Sequence, residues 1–208
     1  VLFCVCLIVS NLIEIKTVDI GFATITAGMV VFPLSYIIND CIVEVYGFRK
    51  ARTVIWLGFA MNLLVTLFLQ FAILLPGADS WQSQDAMEAV YGTVPRILGA
   101  SFVAFLCGSM VNALVMSKMK VASGGRHFSL RAIVSTLWGE GTDSIIFFPL
   151  AFGGILPWRE IVSLIVAQAL LKTAYEIVIL PVTLKVVKKL KSIESTDTYD
   201  RGISYSWW

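Results

Sequence analysis

Four carboxylates sit inside stretches that otherwise read as membrane: Asp40 and Glu44 in one apolar run, Glu140 and Asp143 in another. A charged group in hydrocarbon costs a few kcal/mol at least, so ionisable residues at that depth turn toward a bundle interior and serve a function. The pattern restricts the chain to folds that enclose a polar site within membrane-crossing helices. Composition agrees: of 208 residues, 58% are hydrophobic and 14% charged, where a soluble domain carries about 25% charged. Stretches 53–75 and 97–117 contain no charged residue, and each exceeds the roughly 18 residues a helix needs to cross about 30 Å of hydrocarbon. The alternating pattern of a membrane barrel is missing, which argues against strands. A net charge of +2 gives no reason to expect nucleic-acid binding. Cys4, Cys6, Cys41 and Cys107 lie in apolar runs without metal-ligand spacing and read as small buried hydrophobes, so no metal or cofactor is implied.

The expected fold is an all-α membrane protein, a bundle of six transmembrane helices. The first ends near Ile13; the others cover 23–46, 53–75, 94–117, 130–152 and 159–187, the last long enough to tilt or protrude. Arg49, Lys50 and Arg52 follow the second helix. Lys118, Lys120, Arg126 and Arg131 follow the fourth, and Lys185, Lys188, Lys189 and Lys191 follow the sixth. The outer segment 76–93 has no Lys or Arg but carries Asp79, Asp85 and Glu88, with room for a short interfacial helix anchored by Trp81 and Tyr91. By the positive-inside rule both termini are cytoplasmic. Residues 1–191 therefore read as one six-helix transmembrane domain and 192–208 as a polar, mobile cytoplasmic tail. The chain opens on Val1 within an apolar run, which reads as a native N-terminus left out. His127, beside Gly124, Gly125 and Arg126, reads as an ordinary loop residue.

In the second helix Pro33, Tyr36, Asp40 and Glu44 recur every three or four residues and share a face, with Asn39 beside Asp40. Glu44 is near the inner interface, where water could reach it; Asp40 is a turn deeper. In the fifth helix Glu140, Asp143 and Phe147 share a face, Trp138 lies just before them, and Gly139 and Gly141 permit close backbone approach or local unwinding. Phe32-Pro33-Leu34 and Phe148-Pro149-Leu150 flank the acids on the outer side in helices of opposite direction, so the two acidic pairs are expected at comparable depth. Lys172 and Glu176, one turn apart near Gln168 and Tyr175, form either an intrahelical pair or a contact from Lys172 to another helix's carboxylate. Asn11, Asn62 and Asn112 read as interhelical hydrogen-bonding residues, and Ala100, Ala104, Gly108 and Asn112 as a small-residue stripe for packing in the bundle or in a dimer.

Carboxylates accept paired hydrogen bonds, so they match a cation or the adjacent ring and amino donors of a guanine-like base. Trp138, Phe147, Tyr36 or Phe148 could stack on such a ring at ~1–3 kcal/mol. A proton relay or a sodium site would use the same acids as titrating groups or ligands.

The stretch from Phe32 through Asn39-Asp40-Cys41-Ile42-Val43-Glu44-Val45-Tyr46-Gly47 to Arg52 resembles the signature of the vitamin uptake transporter family, also called queuosine precursor transporters. Trp138-Gly139-Glu140-Gly141-Thr142-Asp143-Ser144-Ile145-Ile146-Phe147 resembles its second hallmark. The likeness runs from the first helix to the sixth. It implies a multi-pass importer of the bacterial inner (cell) membrane that takes up 7-deazaguanines, such as 7-cyano- and 7-aminomethyl-7-deazaguanine. It also implies a topology similar to the substrate-binding subunits of energy-coupling-factor transporters. Asp40, Glu44, Tyr46, Glu140 and Asp143 match the motifs. Asp40, Glu44, Glu140 and Asp143, with Tyr36, Asn39, Trp138, Phe147, Lys172 and Glu176, form the candidate substrate-binding set.

No phosphate-binding loop is present, so any use of ATP would need energising subunits. An alternative reading is therefore the substrate-binding subunit of an ATP-driven vitamin or nucleobase uptake complex. The more remote one is an intramembrane aspartyl protease, since Gly139-Glu140-Gly141-Thr142-Asp143 is similar to Gly-x-Gly-Asp. Here Thr142 intervenes, and Asp40 follows Asn39 rather than a tyrosine. A homodimer through the small-residue stripe is a further expectation.

Overall fold

The computed structural model describes residues 1–13, 16–19, 24–92 and 95–206. Helix α1 (Leu2–Ile13) ends where expected and leads to a short antiparallel hairpin of β1 (Thr17–Asp19) and β2 (Thr24–Thr26). A 3-10 turn (Ala27–Val30) then enters α2 (Phe32–Tyr46). The second helix thus starts later than the expected residue 23. Pro33 sits in its first turn, where a missing amide hydrogen leaves no intrahelical bond unmade and the fixed φ favours helix. Upstream, β-branched Thr24, Ile25 and Thr26 pair as strand.

Gly47, at φ +84°, turns the chain between α2 and α3 (Phe48–Leu74). Arg49, Lys50 and Arg52 consequently occupy the first turns of α3 instead of a loop. The segment after α3 contains the short helix α4 (Gln84–Tyr91), pinned to α3 by Gln70 Nε2 donating to Tyr91 O at 2.7 Å and Gln84 Nε2 donating to Ile73 O at 3.0 Å. Then come α5 (Pro95–Ser123), α6 (Phe128–Phe152) and α7 (Trp158–Glu194). The basic residues expected after the last helix lie within α7.

Among the described residues, four segments are long and apolar enough to cross a membrane: Ala27–Tyr46, Phe48–Leu74, Gly99–Ser123 and Trp158–Glu194. Helix α1, with 12 residues, is a shorter apolar helix. Helix α6 has sufficient length at 25 residues, but Arg131, Glu140 and Asp143 lower its hydropathy. The helix that carries the second acidic pair is therefore the one composition marks least clearly. Helix α2 is central: 72% of its span is buried, against 11% for α3 and 22% for α7. Exposed Leu64, Phe68 and Phe71 on α3 and Val162, Val166 and Val178 on α7 form the faces that suit hydrocarbon. Phe3 and Leu7 of α1, Val43 of α2, Ile55 of α3 and Met110 of α5 belong to the apolar core on one side of α2.

Helices α5 and α6 cross at two glycines. A Cβ on Gly108 would lie 2.6 Å from the Tyr36 hydroxyl and 2.9 Å from the Gly139 carbonyl oxygen; one on Gly139 would lie 2.7 Å from Asn112 Cβ. The small-residue stripe is thus consumed inside the chain, with Ala104 and Asn112 fully buried. Gly141 faces open space, so only one of the glycines flanking Glu140 serves close approach. Gly139→Ala should destabilise the purified protein by about 1–3 kcal/mol through overpacking, whereas Gly141→Ala should be neutral or slightly stabilising. Thermal unfolding in detergent checks the pair, and equal effects would contradict the crossing.

Candidate functional site

Helices α2 and α6 run antiparallel in a fixed register. The Tyr36 ring faces Gly139, the Ser135 hydroxyl approaches both Asp40 carboxyl oxygens at 3.4 and 3.5 Å, and Arg131 pairs with Glu44 at 2.5 Å. Each step of four along α2 meets a step of four back along α6. The acidic pairs are therefore not level, as the flanking Phe-Pro-Leu segments suggested. Glu140 and Asp143 lie about a turn further from Arg131, beside Tyr36. Distance from a proline measures position along one helix, whereas the glycine crossing and the Arg131 pair set the register between two.

The outer layer of charge gathers on α6 and α7. Lys172 Nζ lies 2.8 Å from Glu140 Oε2 and 3.5 Å from Asp143 Oδ2, and 4.2 Å from the centre of the Phe32 ring. Of the two arrangements open to Lys172, the structure adopts the interhelical one. Glu176, 1% exposed, turns instead toward Asp40 of α2 and Thr136 of α6. Neither of its oxygens accepts a well-formed hydrogen bond among the described residues.

The same is true of the Tyr36 hydroxyl, Asn39 Oδ1, both Glu140 oxygens and the Ser144 hydroxyl. Glu140 is paired with Lys172 by charge, but the contact is poorly aligned for a hydrogen bond. Among the described residues, all seven such atoms belong to α2, α6 and α7. An orphaned buried polar atom costs about 1–3 kcal/mol and calls for an explanation. Their concentration on three facing helices fits groups that await a ligand. Asn39 itself is braced to α5, its Nδ2 donating to Asn112 Oδ1 at 2.7 Å and to Ser109 O at 3.3 Å.

Trp138 does not join this group. It is 61% exposed on the outside of α6, since two residues of helix place it about 200° from Glu140. Phe147 is half-buried and packs edge-on against Phe148 at 5.2 Å. The rings nearest the charges are Phe32 and Tyr36, 5.7 Å apart. Phe32, Ser135 and Thr136 are absent from the sequence-based set. Phe32 stands one turn before Tyr36, and Ser135 and Thr136 stand one turn before Glu140, so helical spacing from the chosen residues could have found them.

Glu44 belongs to a different place. It is 1% exposed, not hydrated, and Arg131 reaches both its oxygens, at 2.5 and 3.2 Å. Lys191 reaches it at 2.6 Å, and Lys120 lies 3.8 Å from its carboxylate and donates to its backbone carbonyl. Asp197 completes the network, 2.5 Å from Lys120 and 2.9 Å from Lys191.

The segment expected to be a mobile tail is tied down here through residue 206. Asp200 Oδ2 accepts from the Phe48 amide at 2.7 Å and the Ser117 hydroxyl at 2.5 Å, and the Thr198 amide donates to Val45 O at 3.1 Å. Tyr205 packs on Phe48 with ring centres 5.2 Å apart. A polar composition hid this because Lys120, Phe48, Ser117 and Val45, which hold the segment, lie far away in sequence.

Partial burial pulls the Asp197 carboxyl upward, but hydrogen bonds from Lys120 and Lys191 outweigh it and hold the group below the ordinary 3.8. Its contribution is therefore complete above that value and lost as pH falls through the lowered one. Hydrogen exchange should find amides 198–206 protected at neutral pH and released as acid protonates Asp197 below its ordinary value, and released already at neutral pH in Asp197→Asn. Glu44→Gln, which strands buried Arg131, should cost about 3 kcal/mol or more in thermal unfolding. A change under 1 kcal/mol would contradict the network.

Membrane-crossing helices around an enclosed, charged and under-bonded centre have the architecture of a solute transporter. Residues 26–186 match the family described as "Putative vitamin uptake transporter", and the chain belongs to that family. It is 32% identical over 173 residues to "Probable queuosine precursor transporter" of Bacillus subtilis (strain 168), covering 83% of this chain and 76% of that protein. It is 29% identical over 149 residues to "Queuosine precursor transporter" of Escherichia coli (strain K12), covering 72% of this chain and 62% of the other. No solved structure matches the chain. The protein is thus a multi-pass bacterial inner-membrane protein of a transporter family, not an enzyme, which sets the protease reading aside. The geometry agrees, since the carboxyl group facing Asp40 is Glu176 rather than a second aspartate.

Proposed function

We propose that this chain imports queuosine precursors, 7-deazaguanines such as the 7-cyano and 7-aminomethyl forms. It would cross the inner membrane six times with both termini cytoplasmic, in a topology similar to energy-coupling-factor substrate-binding subunits. The observation that carries the reading is the set of unpartnered buried polar atoms on α2, α6 and α7. A guanine-like base presents adjacent ring and amino donors, and a carboxylate accepts both at once. Glu140 or Asp143 takes that edge, with Lys172 moving off as the base enters. Asp40 serves the opposite side or the aminomethyl cation. Tyr36, one of the stacking candidates from the sequence, and Phe32, in place of the outward-facing Trp138, stack on the ring. Glu44 has a structural task in this scheme, holding α2 to α6 below the site. The names of the two relatives support the substrate class.

A selective ligand raises the melting midpoint by mass action. Purified protein should be stabilised by 7-deazaguanines within a panel of guanine-like bases and unaffected by pyrimidines. Replacing one accepting carboxylate removes charge-assisted hydrogen bonds worth about 1.5–3 kcal/mol, roughly 10–100-fold in affinity. Uptake of labelled base into cells blocked in its synthesis should fall accordingly in Glu140→Gln and Asp143→Asn. Full uptake by both variants would remove those residues from the site.

A further inference from the structure

The two charged layers differ in balance. At the inner end, Glu44 and Asp197 are matched by Arg131, Lys120 and Lys191 within ion-pairing distance. In the site itself Asp40, Glu140, Asp143 and Glu176 stand against Lys172 alone among the described residues, and Lys172 is engaged by Glu140 and Asp143. Asp40 and Glu176 are left facing one another, 0% and 1% exposed. The groups turned toward them are Tyr36 and Cys41 of α2, Asn112 of α5, and Ser135, Thr136 and Glu140 of α6. None of these is a cation. Two carboxylates so placed repel one another strongly while both are charged, the more so when water is excluded. A neutral base brings no positive charge to relieve them. A metal ion would need a donor cage, and among the described residues no cluster of His, Cys, Asp and Glu has one.

We propose that the Asp40–Glu176 pair is a proton-binding site that couples import to the proton gradient. One carboxylate oxygen takes a proton from the outer side as the base binds, forming an O–H bond that the facing carboxylate accepts. That bond breaks toward the cytoplasm when the base leaves. The inference rests on the importer reading above, and it adds the energy source.

The test uses the purified full chain in proteoliposomes that carry a pH-sensitive dye, with labelled 7-cyano-7-deazaguanine, which is neutral, as probe. Equilibrium exchange of the base at equal pH tests the importer reading by itself. An acidic exterior should then drive accumulation several-fold above the equilibrium level and collapse with a protonophore. Addition of base should also carry protons inward. Exchange that proceeds with no response to the pH gradient, or accumulation driven by sodium instead, would overturn the coupling and leave the importer reading standing. Absence of exchange would overturn both. Residual exchange in Glu176→Gln and Asp40→Asn should be indifferent to the gradient; a wild-type gradient response in either variant would remove the pair from that role.

Discussion

The antiparallel contact between α2 and α6 is the constraint on which the rest depends. It is fixed at one point where the Tyr36 ring packs on Gly139, beside the α5–α6 glycine crossing, and at another by the buried Glu44–Arg131 pair. With those two points set, Asp40 must meet Ser135, and Glu140 and Asp143 must rise beside Tyr36. Helix α7 then closes the group by sending Lys172 to Glu140 and Asp143 and Glu176 to Asp40.

The consequence is a division of labour between charges that look alike in sequence. Glu44 is surrounded by three cations and by a returning tail, which makes it part of the scaffold. The acids of the other layer have one cation among the described residues and, around them, seven buried atoms without a hydrogen-bond partner, one of them ion-paired with Lys172. Burial without partners costs free energy, and a transporter can recover that cost only when its ligand is bound. The inner layer holds the helices together, and the upper layer is kept short of partners.

Much of this could be read from residue order. Asp40, Glu140 and Asp143 stood out because hydrocarbon tolerates few acids, and the spacing of Asp40 and Glu44 placed them on one face. The ends of α1 and α6 and the presence of α4 followed from apolar runs and their interruptions. Three features did not follow, for definite reasons. The depth of the acids needed the interhelical register, which a glycine crossing decides. The fate of Glu44 needed Lys120 and Lys191, 76 and 147 residues away. Trp138 was chosen for its chemistry although its angular position on α6 turned it outward. Local chemistry was legible, and long-range pairing was not.

The most direct measurement is an experimental structure with a 7-deazaguanine carrying a heavy halogen, located by its anomalous signal. The account predicts the base between α2, α6 and α7, its donor edge on Glu140 or Asp143 and its ring against Phe32 or Tyr36. A base seated in the outer cleft lined by Asn11, Asn62, Gln70 and Tyr91, with the buried acids untouched, would contradict it.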